Sequence, residues 1–412
     1  MLPAFLIDPV TLSVPTNFSK LPVYELERPR VEKKGAQVPF DPLTGYRWQG
    51  KQPTHAPLEI PQWAFLHAWA KTRFQCAVDE RHIQLSALCH RQLSELALDW
   101  SPPNLRRRDR ILFSLKDASE SAFTSEAAEA CASLFMQRRE YVYWDHLPSL
   151  VSRALGKGFD HPERTRRAAV ITKRLRGMWP AEEPDFIFEK ENHESALMES
   201  KGIQPGQGKS APVKTRLREA LSQLRTWARH IAPSPAKSFG IATVFRETSD
   251  PVDSHLAFVD PDHADIDEQN AAFCSADWVR RGNYGSWLIG MGLVEAGEAL
   301  RHGRSRERQQ VRLPLAEIRG RRIAFTGYAV LDLRSPPFHM FASSLFVLGI
   351  DAEILRGLSE AIADGDAVLK VEALPDHLVD EPRWKGSIFR DGTTMGVLRR
   401  PDPFVSEEVF LL

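Results

Sequence analysis

Pro184-Asp185 and Glu199-Ser200-Lys201 bring two carboxylates and an amine into one short stretch of a 412-residue chain. Asp185-Phe-Ile-Phe-Glu-Lys190 and Ala196-Leu-Met-Glu-Ser-Lys201 both read as strands, separated by the polar turn Glu191–Ser195. Side chains on a strand alternate between faces, so Glu199 and Lys201 point the same way. A hairpin of the two strands would bring Asp185 towards Glu199. Carboxylates converging beside a lysine need a neutralising partner, and a divalent cation is the usual one. Mg²⁺, or Mn²⁺ in its place, takes one or two carboxylates plus water and phosphate oxygens, which makes Asp185 and Glu199 the expected metal ligands. Lys201 would orient an attacking water or stabilise developing charge, and the chemistry this describes is phosphodiester hydrolysis. The plainer reading of Glu-x-Lys is an ion pair on a solvated strand face. The apolar neighbours Leu197, Met198 and Ile203 instead mark this strand as central, where its charges need a reason.

In order, spacing and strand context, Pro184-Asp185 and Glu199-Ser200-Lys201 resemble the PD-(D/E)XK nuclease superfamily, the restriction-endonuclease-like fold. The next helix carries Gln223-Leu-Arg-Thr-Trp227, which is similar to the QxxxY helix motif of RecB-like members with Trp in place of Tyr. On a helical wheel Arg216, Gln223 and Trp227 share a face beside the apolar stripe, so they could look into one cleft. The resemblance covers residues from about 160 to about 260. It implies a magnesium-dependent nuclease acting on DNA, with RNA a secondary substrate, and Asp185, Glu199, Lys201 and Gln223 as its catalytic residues. Restriction, phage defence and repair are the settings such proteins commonly serve. An acid on the helix before the sheet often joins the metal shell in this superfamily; Glu126, Glu129 and Glu163 are the candidates and the choice stays open. A non-catalytic nucleic-acid or partner-binding protein with a degenerate nuclease fold is the first alternative.

A second motif overlaps the first. Gly202-Ile-Gln-Pro-Gly-Gln-Gly208-Lys209-Ser210 resembles a Walker A loop, and Leu256-Ala-Phe-Val-Asp260 a Walker B strand, which would make a P-loop nucleotide-binding protein. The first glycine falls one residue early, however, since Ile203 stands where glycine is needed. The preceding strand is also charged, unlike the doubly buried strand of that fold. Asp260-Pro-Asp262-His-Ala-Asp265-Ile-Asp267 lacks the glycine and terminal glutamate of a calcium loop. Gly290-Met-Gly292 lacks the third glycine of a dinucleotide fingerprint. Arginines cluster at 106–110, 164–176 and 301–308; each cluster reads first as a solvated face, and together they could track a phosphate backbone.

These residues need a scaffold, and the composition supplies the bounds. Apolar residues make up 42% and charged residues 26%, ordinary values for a folded chain. Lys and Arg balance Asp and Glu at 54 each, which excludes a uniformly basic DNA coat but not a local basic groove. Apolar stretches such as Ser344–Ile350 are far shorter than a membrane span, and Met1–Val10 has no basic leader region. Cys76, Cys89, Cys131 and Cys274 show no CxxC spacing, which fits a reducing compartment. A cytoplasmic protein with no membrane partner is expected, and either a homodimer or a partner subunit is compatible with it. Residues 1–60 read as extended segments laid on another domain. Helical spacing begins at Pro61 with Trp63, Phe65, Leu66 and Trp69, and further helices are predicted over Ser125–Glu140, Leu147–Leu155, Glu163–Met178 and Val213–Ile231. Leu217, Leu221, Leu224 and Ala228 form the stripe of the last of these. Strands are predicted over Phe239–Phe245, Leu256–Val259 and Arg322–Leu331, and helices near Trp287–His302 and Ala352–Ala363. The expected fold is α/β, a mixed central sheet flanked by helices with a restriction-endonuclease-like core at 120–265. An N-terminal accessory region, 1–119, and a C-terminal one, 266–412, complete the expected division.

Overall fold

The computed structural model describes residues 18–27, 47–48, 52–76, 97–100, 103–109, 117–154, 184–228, 231–232, 235–261, 272–273, 277–330, 344–381, 384–399 and 406–412. The helix expected at Glu163–Met178, Glu163 itself, the arginines of 164–176 and the acidic turn from Asp262 onward lie outside these residues. Through the first half of the chain the strands are β1 (Phe18–Glu27), β2 (Arg47–Trp48), β3 (His55–Pro61), β4 (Leu98–Asp99), β5 (Arg106–Arg107) and β6 (Tyr141–His146). Next come β7 (Phe186–Lys190), β8 (Ser195–Ile203), β9 (Ile231–Ala232), β10 (Lys237–Val244), β11 (His255–Val259) and β12 (Ala272–Phe273). The last are β13 (Gln310–Ile318), β14 (Arg321–Val330), β15 (Ser344–Asp351), β16 (His377–Asp380), β17 (Trp384–Ile388), β18 (Thr393–Arg399) and β19 (Ser406–Leu411). The helices are α1 (Gln62–Cys76), α2 (Asp117–Arg138), α3 (Leu147–Ala154), α4 (Val213–Ala228), α5 (Trp278–Gly290), α6 (Val294–His302) and α7 (Ala352–Ala363). None of the described helices is long and apolar enough to cross a membrane.

The chain is mixed α/β and divides into two compact units, one of Ser19–Ile60 and Ser94–Arg280, the other of Met1–Phe18, Pro61–Leu93 and Arg281–Leu412. This differs from the division expected at 120 and 266. Long-range pairing decides the matter: β1 lies in register beside β11, with Val23 opposite Leu256, while α1 packs on β17 and β18. Such contacts leave no shift in composition for a sequence reading to find.

In the first unit the sheet runs β2-β1-β11-β10-β8-β7-β6, with β3 also on β1. β6, β7 and β8 form an antiparallel meander, and α4 carries the chain across to β10, parallel to β8. The apolar stripe of α4 is buried as its spacing predicts, through Leu217, Leu221, Leu224 and Ala228. A Cβ on Gly240 would touch Leu217 and Ala220, so α4 lies on the face that Gly240 shares with its neighbour Glu199. On the opposite face Phe135 of α2 packs edge-on against Phe239, and the Thr124 carbonyl closes over Gly202, leaving no room for a Cβ there. The order α2-β6-β7-β8-α4-β10 thus sets the 185–201 hairpin inside a mixed sheet, between β10 and the edge strand β6, with a helix on each face.

The second unit holds an antiparallel sheet ordered β16-β17-β18-β15-β14-β13-β19. One face carries an apolar cluster running from Ile318 through Phe325, Val347 and Trp384 to Val379. Beneath α1 lies a buried polar network. Lys71 is ion-paired with Asp391, whose Oδ2 also accepts from Asn283 at 2.8 Å. Asp391 Oδ1 accepts from the Thr393 hydroxyl at 2.6 Å, and that hydroxyl meets His67 Nε2 at 3.1 Å. His67 Nδ1 meets Ser387 Oγ at 2.8 Å, and the imidazole stacks on Phe389 with centroids 3.7 Å apart. Burial, reinforced by the charge of Lys71, holds the His67 pKa well below the ordinary histidine value. The amine of Lys71 is likewise pushed down by burial, against the pull of Asp391.

Candidate active site

The β7–β8 hairpin forms because two runs of large apolar residues, Phe186-Ile-Phe188 and Ala196-Leu-Met198, alternate in step across it and bury both faces. The turn between them is closed by the Lys190 amide on the Glu194 carbonyl and the His193 amide on the Lys190 carbonyl. His193 accepts φ 66°, a left-handed conformation that histidine tolerates better than most residues. Register then follows from the ladder, with Phe186 opposite Met198.

That register brings Asp185 and Glu199 together as expected. The Asp185 amide donates to Glu199 Oε2 at 3.0 Å, and the Ser200 amide donates to Asp185 Oδ2 at 2.8 Å, a reciprocal clasp across the hairpin. Lys201 Nζ lies 2.6 Å from Glu199 Oε1, so the three side chains named from the sequence converge on one sheet face. Glu199 is buried, and burial drives its pKa well above the carboxylate range, with the Asp185 charge adding to the rise and Lys201 opposing it. Burial lifts Asp185 to about 6, against the pull of the Ser200 amide and the Lys201 charge.

Each carboxylate oxygen can accept more than one interaction, so the amide bonds leave capacity for a cation. Two carboxylates with water and phosphate oxygens are the donor set Mg²⁺ takes, and the excess of buried negative charge is what such an ion would neutralise. Asp185 and Glu199 therefore fit a divalent cation. Among the described residues no group of three or more His, Cys, Asp or Glu side chains is arranged to hold a metal, so Glu126 and Glu129 do not complete a three-acid shell. Both lie on α2, where Glu129 accepts from Ser125 of its own helix at 3.4 Å.

Gln223 is brought to the helix on the same sheet face, but no hydrogen bond among the described residues joins it to the carboxylates. Its Oε1 is buried and has no hydrogen-bond partner among the described residues. Trp227 is packed into the core, and Arg216 pairs with Glu219 at 2.8 Å on the exposed side of α4, so the three do not share a cleft. The acid of α2 that reaches the end of β8 is Glu120, which the sequence reading missed. It takes Arg107 at 2.9 Å and the Gln204 amide, while Thr124 one turn on donates to Gln204 Oε1 at 2.9 Å. Stepping the apolar stripe of Ala128 back by fours gives Thr124 and then Glu120, and this was the signal available.

The loop after β8 is not arranged as a phosphate cradle. The Gly208 amide faces the Asp250 carboxylate at 3.4 Å, Arg246 Nη1 donates to the Lys209 carbonyl at 2.8 Å, and α4 begins only at Val213. Arg106 and Arg107, expected on a solvated or phosphate-tracking face, are instead clamps. Arg106 Nη1 donates to the Glu247, Thr248 and Asp250 carbonyls, and buried Arg107 bridges Glu120 and Glu247. In the other unit Arg301 is buried beside Glu298 and Arg306 pairs with Glu295. The chain matches no protein-family model, no curated protein and no solved structure.

Proposed function

We propose that the first unit is a divalent-metal-dependent nuclease of the restriction-endonuclease-like kind, hydrolysing DNA phosphodiester bonds. The observation that carries this reading is the convergence of Asp185, Glu199 and Lys201 on one face of the β7–β8 hairpin, with Glu199 accepting from the Asp185 amide and Asp185 from the Ser200 amide. The order α2-β6-β7-β8-α4-β10, with β10 parallel to β8, supports it as the scaffold this motif needs. Asp185 and Glu199 would hold the cation, which when bound supplies charge neutralisation and polarisation of a phosphate. Lys201, one-fifth exposed beside Glu199, would hold charge developing on the phosphate or orient the attacking water. Gln223 would position rather than react. Restriction, phage defence or repair is the setting the reading suggests, in the cytoplasm.

The test is cleavage of plasmid and linear DNA, and of RNA, by purified protein with Mg²⁺ or Mn²⁺. The reading expects wild-type cleavage that chelation stops, lost in Asp185→Asn and Glu199→Gln and steeply slowed in Lys201→Ala, with far-UV circular dichroism unchanged. Cleavage undiminished in Glu199→Gln refutes the site. DNA bound but never cut by the wild type favours a degenerate nuclease fold that binds without catalysis.

A further inference from the structure

β19 is the last strand of its sheet and pairs with β13 on one side only. The Leu412 amide donates to the Gln309 carbonyl at 2.9 Å, and the Gln309 amide donates in return to the Leu412 carbonyl. Hydrogen-bonded pairs alternate along an antiparallel ladder, so Phe410, Glu408 and Ser406 turn their backbone groups towards Val311, Leu313 and Leu315 of β13. Glu407, Val409 and Leu411 turn theirs to the open edge. Among the described residues only the Leu411 carbonyl is engaged there, by the Ser359 hydroxyl. An open edge is a template for a further strand, and folded chains ordinarily blunt it with lysine, proline or a bulge. β19 reads Ser-Glu-Glu-Val-Phe-Leu with none of the three, and its register against β13 runs unbroken from Ser406 to Leu411.

The side chains of β19 fall into two sets. Glu408 is held by Arg322 and Arg356, and the Arg356 guanidinium also lies over the Phe410 ring, so α7 covers this face. On the other face Val409 and Leu411 are 47% and 48% exposed. They are the one pair of exposed large apolar side chains, among the described residues, that stands two apart on a single strand face.

An antiparallel strand is complementary to a copy of itself turned about a two-fold axis, and charge selects the register. An axis at Glu407 or at Glu408 would set that carboxylate against its own copy. An axis at Phe410 would leave Ser406 and Glu407 outside the paired stretch. With the axis at Val409, Val409 meets the partner's Val409, Glu407 meets Leu411 and Glu408 meets Phe410. The whole strand is then paired and no like charges stand opposed.

We propose that β19 is a homodimer interface, pairing antiparallel with β19 of a second copy about a two-fold axis at Val409, so that the two seven-stranded sheets continue into each other. No residue of the first unit takes part, and the dimer is independent of the nuclease reading.

Sedimentation velocity over a micromolar concentration series should find the wild type dimeric. Val409→Lys sets two ammonium groups against each other at the axis, on an exposed position, and should weaken association roughly tenfold or more with circular dichroism unchanged. A hydrogen-bonded antiparallel pair has its Cα atoms about 5.5 Å apart, within reach of a disulfide. Val409→Cys should therefore be cross-linked to a dimer by oxidised glutathione. Arg312→Cys, in the same row but about 14 Å from its copy across three strand spacings, should cross-link no more than the wild type with its four native cysteines. A wild type that stays monomeric at tens of micromolar overturns the proposal and leaves the edge to a strand of another protein. A dimer that Val409→Lys does not weaken, or in which Val409→Cys cross-links no faster than Arg312→Cys, has its interface elsewhere and overturns it as well.

Discussion

His67→Gln should make the second unit less sensitive to acid, by an amount that can be worked out. His67 is buried between α1 and the β17–β18 strands, with Ser387 and Thr393 on its two nitrogens and the rings of Phe389 and Trp287 beside it. Its pKa in the folded protein lies well below 6.5, first because burial disfavours the imidazolium and then because Lys71 repels it. The unfolded chain therefore binds a proton that the folded chain refuses. The contribution is fully present above about pH 6.5 and is lost as pH falls through the window between that value and the folded pKa. Throughout pH 6 to pH 5 an unfolded histidine of pKa about 6.5 carries most of one proton that the folded chain does not bind, and integration gives up to about 1.2 kcal/mol of lost stability from this residue alone. Glutamine keeps a donor and an acceptor for Ser387 and Thr393 but cannot charge. Urea unfolding followed by tryptophan fluorescence, at pH 6 and pH 5, should show wild type losing more stability than His67→Gln by about that difference. Equal losses in the two proteins would refute the reasoning and mean that the imidazolium is accommodated inside the network.

Three further outcomes are expected of the same molecule. Asp391→Asn strands the Lys71 ammonium in the core and should destabilise the protein by about 3–5 kcal/mol, with Lys71→Met recovering part of the loss in the double variant, read by urea unfolding. Glu199→Gln should raise the melting temperature of the metal-free protein at pH 7, because a buried carboxylate whose pKa is raised weakens the folded state as pH climbs; the gain should shrink at pH 5, as scanning calorimetry would show. Lys209→Ala should leave metal-dependent cleavage within a few-fold of wild type in a plasmid assay, since Lys209 is an exposed loop residue outside the Asp185–Glu199–Lys201 cluster.

What the sequence made legible was local. The 185–201 hairpin, the α4 stripe and the shared face of Glu199 and Lys201 all follow from periodicities of two and 3.6, which neighbouring residues set by themselves. Asp185 was legible as well, because a tight hairpin fixes register. What escaped depends on distant partners. Glu120 differs from Glu126 and Glu129 only in which turn of α2 overhangs β8, and that is decided by the Thr124 backbone resting on Gly202. Arg106 and Arg107 look like a basic patch until β5 meets the turn at Glu247, some 140 residues later in the chain. β6 was overlooked because Tyr141-Val-Tyr-Trp144 has no alternation to show; it is buried on both faces. The helix expected over Trp287–His302 is two helices, Trp278–Gly290 and Val294–His302, with Gly292 at φ 83° between them.

The ion pair of Lys71 and Asp391 joins residues 320 positions apart. At ordinary elongation rates of about 5–20 residues per second, α1 leaves the ribosome roughly 16–64 s before its counter-charge is made. Nearly every residue of α1 is buried in the finished unit, Phe65, Trp69 and Phe74 among them. During that interval the helix has a charged lysine in the middle of its apolar surface and no sheet to lie on. A chain that terminates before residue 391 would carry α1 and Lys71 without the carboxylate they were built around.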